Sequence, residues 1–209
     1  MSKSRIEGQA QDERMLLDRR AFSLGSAAFL SGCATVRTRQ FSGCTPLAPV
    51  DADPSRLIRA VAGLRPYRKQ GFVVRREQLG DKALVHNYGH GGSGITLSWG
   101  SSKLATELGL QGHSGPVAVL GSGVMGLSTA RLVQEAGFPV TIYSAALPPD
   151  TTSNIAGGQF HPAYAFKESA VTPEFMTQFT RALDYSWRRF QIMVGEDYGV
   201  RWLPTYVET

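Results

Sequence analysis

The sequence predicts an α/β fold, and three observations predict it. Val117-Ala118-Val119-Leu120 is a short apolar run with the length and composition of a strand buried on both faces. G-x-G-x-x-G follows at once, Gly121 to Gly126, and leads into a helical pattern from Leu127 to Gly137. A second apolar run, Pro139 to Tyr143, returns at the distance that a β-α-β unit requires. Such a unit is Rossmann-like, with a parallel sheet and flanking helices.

The spacing of the glycines has a physical reading. Gly121 turns the chain tightly, Gly123 leaves room for an anionic group at the backbone, and Gly126 lets the helix pack close on the strand. Ser122, Val124 and Met125 stand between them. The first amides of the helix, aided by its dipole, then point at the phosphates of a dinucleotide. Taken alone, the signature also describes a tight turn with no ligand; the returning strand weighs for the dinucleotide.

Composition bounds the rest. The 209 residues are 42 % hydrophobic and 19 % charged, an ordinary globular balance. The net charge of +5 comes without a Lys/Arg block, so nucleic acid is not indicated. Two cysteines, Cys33 and Cys44, make neither a disulfide framework nor a metal cluster, and the four scattered histidines do not indicate a metal site.

In chain order, residues 1–32 read as an export signal. Arg19-Arg20 precede Phe22 and Leu24, in the manner of a twin-arginine signal. The apolar run from Ala21 to Leu30 is too short for a stable membrane span but suits a secretory segment. Leu30-Ser31-Gly32-Cys33 resembles a bacterial lipoprotein processing box. The expectation is lipidation at Cys33 and a periplasmic or cell-envelope location, with membrane contact only through that anchor. The alternative is an uncleaved helix with a buried Cys33. Residues 33–54, rich in Thr, Ser, Pro and Gly, read as a tether in which Cys44 is unpaired.

Residues 55–115 begin with three expected strands, Arg56 to Val61, Phe72 to Glu77 and Ala83 to Asn87, with Gly80-Asp81 turning the chain between the last two. Tyr88 to Gly94 holds four glycines in seven residues, a loop able to wrap closely around a ligand. Ile95 to Leu110 reads as a helix opened by Thr96 and Ser98, with Gly100 an awkward interior residue. Two glycine-rich loops, each entering a helix, suit opposite ends of one large anionic ligand. Residues 116–200 hold the β-α-β unit and a long helix from Pro173 to Val194. Thr172 is its cap, and Phe175, Phe179, Leu183, Trp187 and Phe190 to Met193 are its apolar stripe. Arg181, Arg188 and Arg189 fall on its solvated side, and Val200 to Leu203 reads as the start of a strand.

The motifs carry a family resemblance. Gly63-Leu64-Arg65-Pro66-Tyr67-Arg68, then His86-Asn87-Tyr88-Gly89-His90-Gly91-Gly92-Ser93-Gly94-Ile95-Thr96, then Trp99-Gly100, resemble the carboxyl-terminal signature of the D-amino-acid oxidase family. Val117 to Gly126, with Thr151-Thr152-Ser153-Asn154-Ile155-Ala156-Gly157-Gly158, resembles that family's amino-terminal signature. The order is reversed, so the chain looks circularly permuted, joined through Gln111 to Pro116. The family's substrate domain, which brings active-site tyrosines, lies between its two signatures. Residues 201–209 resemble its entry, so the chain is expected to be truncated or a fragment.

The resemblance implies an FAD-dependent oxidoreductase that deaminates D-amino acids to 2-oxo acids and ammonia, by hydride transfer to flavin N5, with oxygen or another electron acceptor reoxidising the flavin. It makes Arg65 the two-pronged partner of the substrate carboxylate, a role a planar guanidinium fills and lysine does not. Gly91, Gly92, Ser93, Gly94, Ile95 and Thr96 match the loop that wraps the flavin ring. Thr151, Thr152, Ser153, Ala156, Gly157 and Gly158 would line the pyrophosphate and the ring. His86 and His90 are assigned structural roles, and Tyr88 and Trp99 packing roles. One departure concerns the ribose: the carboxylate usual after the second strand is replaced by Ala145, in Tyr143-Ser144-Ala145-Ala146. Two other readings stay open, a non-catalytic flavin-binding remnant and an NAD(P)-dependent enzyme; the His86 to Thr96 loop weighs against the second.

Overall fold

A computed structural model describes residues 51–205. The export motif, Cys33 and Cys44 lie outside the described residues. The chain divides into two units, Met1–Arg56 and Leu57–Thr209. Of the first, residues 51–56 are described: a short turn, Pro54–Arg56, whose Arg56 pairs with Asp51 at 2.7 Å.

The second unit contains β1 (Val73–Leu79), β2 (Lys82–Tyr88), α1 (Gly94–Gly109), β3 (Val117–Leu120), α2 (Val124–Glu135), β4 (Val140–Tyr143) and α3 (Pro173–Ile192). β1 and β2 form an antiparallel hairpin in the register Val73↔Tyr88 to Leu79↔Lys82. Its two-residue loop takes Gly80, at φ +60°, where a II′ turn takes glycine. β3 and β4 pair in parallel, Val117↔Val140 to Leu120↔Tyr143, with α2 as the crossover. This is the expected β-α-β unit.

One expected strand does not form. Residues 57–66 carry no ladder, and Leu57, Ile58, Val61 and Leu64 are exposed. Their alternation is not matched by burial: these apolar side chains face solvent, and the segment pairs with neither edge of the β1-β2 hairpin. Likewise Val200 makes only isolated bridges to Val194 and Gly195, and residues 201–205 join no ladder.

α1 is the hub. Only Glu107 along its sixteen residues is exposed. It meets β1 and β2, α2 and α3. Leu97 and Leu104 join Phe72, Ala165, Phe179 and Ala182 in the core, with Phe166, Phe175 and Leu183 packed against them. Phe166 meets Phe175 and Phe179 edge-on, at 5.4 and 5.0 Å between ring centres. Gly100, awkward in the sequence, has a structural cause. A β-carbon there would fall 1.7 Å from the Ala182 carbonyl oxygen, so only glycine lets α3 come this close. The Gly100 amide donates to Ser186 Oγ at 2.8 Å across the same contact.

α3 starts as expected. Thr172 Oγ1 accepts from the Phe175 amide, and Pro173 occupies the first turn. Its buried face is Phe179, Ala182 and Ser186, not the full aromatic stripe. Trp187 is 39 % exposed and meets Phe160 at a tilt and Trp202 edge-on. Arg189 is not on the solvated side: its side chain is only 22 % exposed, it pairs with Glu135, and it lies 4.7 Å over the Trp99 ring.

His90 belongs to this core. It is 2 % exposed, stacks on Phe72 at 4.9 Å and shares a 2.8 Å hydrogen bond with Ser101. Burial pushes its pKa down to about 4, so the imidazole is neutral. His86 instead pairs with Glu77 at 2.8 Å, a bond that lowers the Glu77 pKa.

Two outcomes are expected. Gly100→Val should force α1 and α3 apart and cost about 1–3 kcal/mol or more in urea unfolding, exceeding the cost of Ser186→Ala, which removes one hydrogen bond worth about 1 kcal/mol. Since His90 has its folded pKa below the unfolded value of 6.5, the unfolded chain binds the extra proton. Stability is then full above pH 6.5 and falls as pH drops toward 4, by on the order of 3 kcal/mol. Unfolding midpoints of His90→Gln between pH 7 and 4 should show a shallower acid slope than the parent.

Candidate cofactor cleft

The two glycine-rich stretches lie side by side. α1 and α2 pack on one another: a β-carbon on Gly94 would lie 4.0 Å from the Met125 methyl, and Ser102 Oγ meets Ser128 Oγ at 2.9 Å and accepts from Thr129 at 2.9 Å. Ser128 Oγ also reaches the Ser98 carbonyl at 3.2 Å. Serines suit this seam because they are short enough for close approach and can satisfy their own hydroxyls on the neighbouring backbone. The opening turns of both helices, each with partial positive charge at the helix N-terminus, line one cleft.

The volume of this cleft is about 370 Å³. Ile95, Ser98 and Trp99 of α1 form one wall, and Ser122, Gly123, Val124, Leu127 and Ser128 another. Pro148, Thr151, Ser153, Asn154 and Phe190 complete it. No carboxylate or lysine is among these lining residues. The favourable field for an anion therefore comes from the helix ends.

The glycine positions behave as cradles. Gly121 has φ +110°, a conformation L side chains rarely adopt. A β-carbon on Gly126 would fall 1.9 Å from the Gly121 carbonyl oxygen, which is the close strand-to-helix packing the motif needs. A β-carbon on Gly123 would meet Ser153 Oγ at 3.0 Å. Ser153 Oγ accepts from the Val124 amide at 2.9 Å, joining the residue 151–154 turn to the head of α2. Ser122 Oγ donates to the Ala146 carbonyl and is buried. Thr151 Oγ1 reaches Asn154 at 2.7 Å. A pyrophosphate is the group this arrangement fits: a glycine-floored turn, hydroxyls from Thr151 and Ser153, and the first amides of a helix.

Not every expected residue arrives. Ala156, Gly157 and Gly158 are exposed and absent from the cleft lining, and a β-carbon on Gly157 or Gly158 would meet nothing. Thr152 is exposed as well. In the 91–96 loop, Ile95 lines the cleft, but Ser93 and Thr96 face another way. Ser93 Oγ donates to the Ala163 carbonyl at 2.6 Å. Thr96 Oγ1 donates to the His161 carbonyl at 3.0 Å and accepts from its amide at 2.9 Å. Both thus staple the loop to residues 159–163. This also corrects the start of α1: it begins at Gly94, and Ser93 stands at the cap position without a side-chain cap. The stretch after β4 is exposed, with no acid at Ala145 and Asp150 in the open.

Arg65 sits against the same loop. A β-carbon on Gly92 would lie 2.7 Å from its guanidinium nitrogen. Arg65 is exposed, on a segment held by the Gly91 amide donating to the Pro66 carbonyl at 3.2 Å. Trp99 and Phe190 were not foreseen in the lining. The signal available for Trp99 was its place one turn into the helix that the glycine loop enters.

Comparison with known proteins bears on this cleft. The profile of the DAO family, described as FAD dependent oxidoreductase, matches residues 27–108 and 116–207. A D-amino-acid oxidase of Rubrobacter xylanophilus is 48 % identical over 54 residues, 26 % of this chain and 17 % of that protein. A D-amino-acid oxidase of Streptomyces coelicolor is 40 % identical over 65 residues, 31 % of this chain and 20 % of that protein. D-aspartate oxidase 1 of Caenorhabditis elegans is 39 % identical over 67 residues, 30 % of this chain and 20 % of that protein. The chain thus spans at most a fifth of the length of these relatives in any one match. No solved structure matches. The two profile matches together cover most of the chain, which therefore belongs to the DAO family of FAD-dependent oxidoreductases, with FAD as its cofactor.

Proposed function

We propose that the chain serves the oxidative deamination of D-amino acids, with Arg65 binding the substrate carboxylate. The observation that carries this is the contact of Arg65 with Gly92, on the loop that enters α1, whose first turn shares one cleft with the G-x-G-x-x-G turn. FAD, when bound, supplies the hydride acceptor for the substrate α-carbon and passes electrons to oxygen or another acceptor. Everything else is positioning and electrostatics. The α2 N-terminus, Gly121 to Gly126, Thr151 and Ser153 would hold the pyrophosphate. The α1 N-terminus adds a second positive end beside it. Arg65 would fix the substrate by a paired, charged contact, orienting the α-carbon. The imino acid product hydrolyses to a 2-oxo acid and ammonia.

The permuted order of the two signatures is part of the proposal. It is supported by the two separate family matches, divided across the turn-rich join, and by α1 holding both segments together. The export signal, lipidation of Cys33 and an envelope location are proposed on the N-terminal motifs alone. A non-catalytic flavin-binding remnant remains the second reading, favoured by the missing carboxylate at Ala145.

Purified protein should show flavin absorbance bands that bleach with D-alanine or D-aspartate in the absence of oxygen. Bands that fail to bleach support the remnant; no bands count against both. Arg65→Ala should lose D-amino-acid turnover by a hundredfold or more, with flavin still bound. A charged hydrogen-bonded pair is worth about 1.5–3 kcal/mol at least, and a two-pronged one more. Unchanged kinetics would remove Arg65 from the site. Gly123→Val should instead weaken FAD itself, read as lost absorbance after gel filtration.

A further inference from the structure

We propose that Tyr164 borders the substrate-carboxylate site and sets which substrate side chains are accepted. The inference rests on the reading of Arg65 given above and deepens it. Tyr164 has φ +61°, and it is the non-glycine residue with positive φ among those described. A side chain in this region is strained, and a bulky ring without a local hydrogen-bonding group has no compensation of its own. Such a conformation persists only where the surroundings impose it.

Here they do, from both sides. Upstream, Ser93 and Thr96 staple the Ala163 and His161 carbonyls to the head of α1. Downstream, Ala165 is 2 % exposed and Phe166 is wedged among Phe175 and Phe179, while the Lys167 amide donates to the Lys69 carbonyl at 2.9 Å. The backbone must turn between these anchors, and glycine would turn there without strain. Yet the residue is tyrosine, and its side chain is left 74 % exposed, giving the core almost nothing. Folding therefore does not account for the ring.

Its location supplies the account. A β-carbon on Gly91 would fall 2.7 Å from the Tyr164 carbonyl oxygen and 3.2 Å from the Tyr67 ring. The next residue, Gly92, is the one that Arg65 abuts. The Tyr164 carbonyl and the Arg65 guanidinium thus flank successive residues of one loop, and a strained tyrosine with a solvent-facing ring packs its backbone on the loop that Arg65 abuts. A carboxylate held by Arg65 would present the rest of its substrate to the same rim, where an aromatic ring offers an apolar face with a hydroxyl at its tip.

The test compares the parent with Tyr164→Gly and Tyr164→Phe, each carrying its flavin. The Kd of a small and of a bulky carboxylate, acetate and phenylacetate, is read from the shift in flavin absorbance on titration. The kcat/KM ratio for D-alanine over D-phenylalanine is measured in parallel with Tm. The expected result for Tyr164→Gly is a change of at least fivefold in both ratios, with Tm unchanged or raised. Tyr164→Phe should keep the parent ratios if the ring's shape decides, and shift them if the hydroxyl does. Ratios within twofold of the parent in both variants would overturn the proposal. So would a Tm lowered by several degrees in Tyr164→Gly, since the ring would then be structural. A parent that neither binds carboxylates nor turns over D-amino acids would bring down the functional reading itself, and this proposal with it.

Discussion

Helix α1 has almost no solvent face, and the molecule depends on how closely its neighbours can approach it. Hydrophobic bulk does not set that distance. Small residues do: Gly100 against Ala182, Ser98 and Ser102 against Ser128. A fully buried helix would ordinarily be apolar all round. This one buries Thr96, Ser98, Ser101, Ser102 and Thr106 as well as Leu97 and Leu104. The buried serine hydroxyls find partners on adjacent helices or on their own carbonyls, so burial does not leave them unsatisfied. In exchange, α2 and α3 lie against α1 at backbone range.

The cleft follows from that closeness. The opening turns of α1 and α2 line it together. Their N-terminal partial charges therefore add toward an anion placed there. The cleft lining holds neither carboxylate nor lysine, so the helix ends act there without competition from a charged lining side chain. This bears on the missing acid at Ala145. A ribose carboxylate would contribute hydrogen bonds to one end of a dinucleotide, whereas the backbone and hydroxyls that fit a pyrophosphate do not involve it.

Legibility in the sequence followed locality. The β-α-β unit, the hairpin with Gly80 at its turn, α1 and the Thr172 cap were all readable, because each is decided by residues within a few positions of one another. The failures were tertiary. Arg56 to Val61 alternates like a strand but has no partner. Trp187 belongs to the aromatic stripe by spacing, yet the close contact uses Ala182 and Ser186, which an apolar count passes over. Arg189 has the composition of a solvated residue and is held by Glu135 and Trp99 from two other helices. Within the site, the 121–126 turn was legible because its glycines serve their own backbone. Ser93 and Thr96 were assigned to a ligand when they bind residues 161 and 163, roughly seventy positions away.

Those staples join the two segments of the chain to each other through space. The segment that carries Arg65 and the glycine loop is fixed to the other half by Ser93, Thr96, Ser102 and Gly100, all contacts made through space from α1. The covalent link from Leu110 to Pro116 contributes none of these, and most of it is exposed to solvent. A core whose stability lies in helix-to-helix contact rather than in the join can be cut and rejoined where the chain is exposed, as domain termini commonly allow. What must be preserved is the packing that lets the opening turns of α1 and α2 line one cleft. An insertion in the join should therefore be tolerated far better than any side chain added at Gly100, because loop closure grows more costly only slowly with length whereas a β-carbon there collides with backbone.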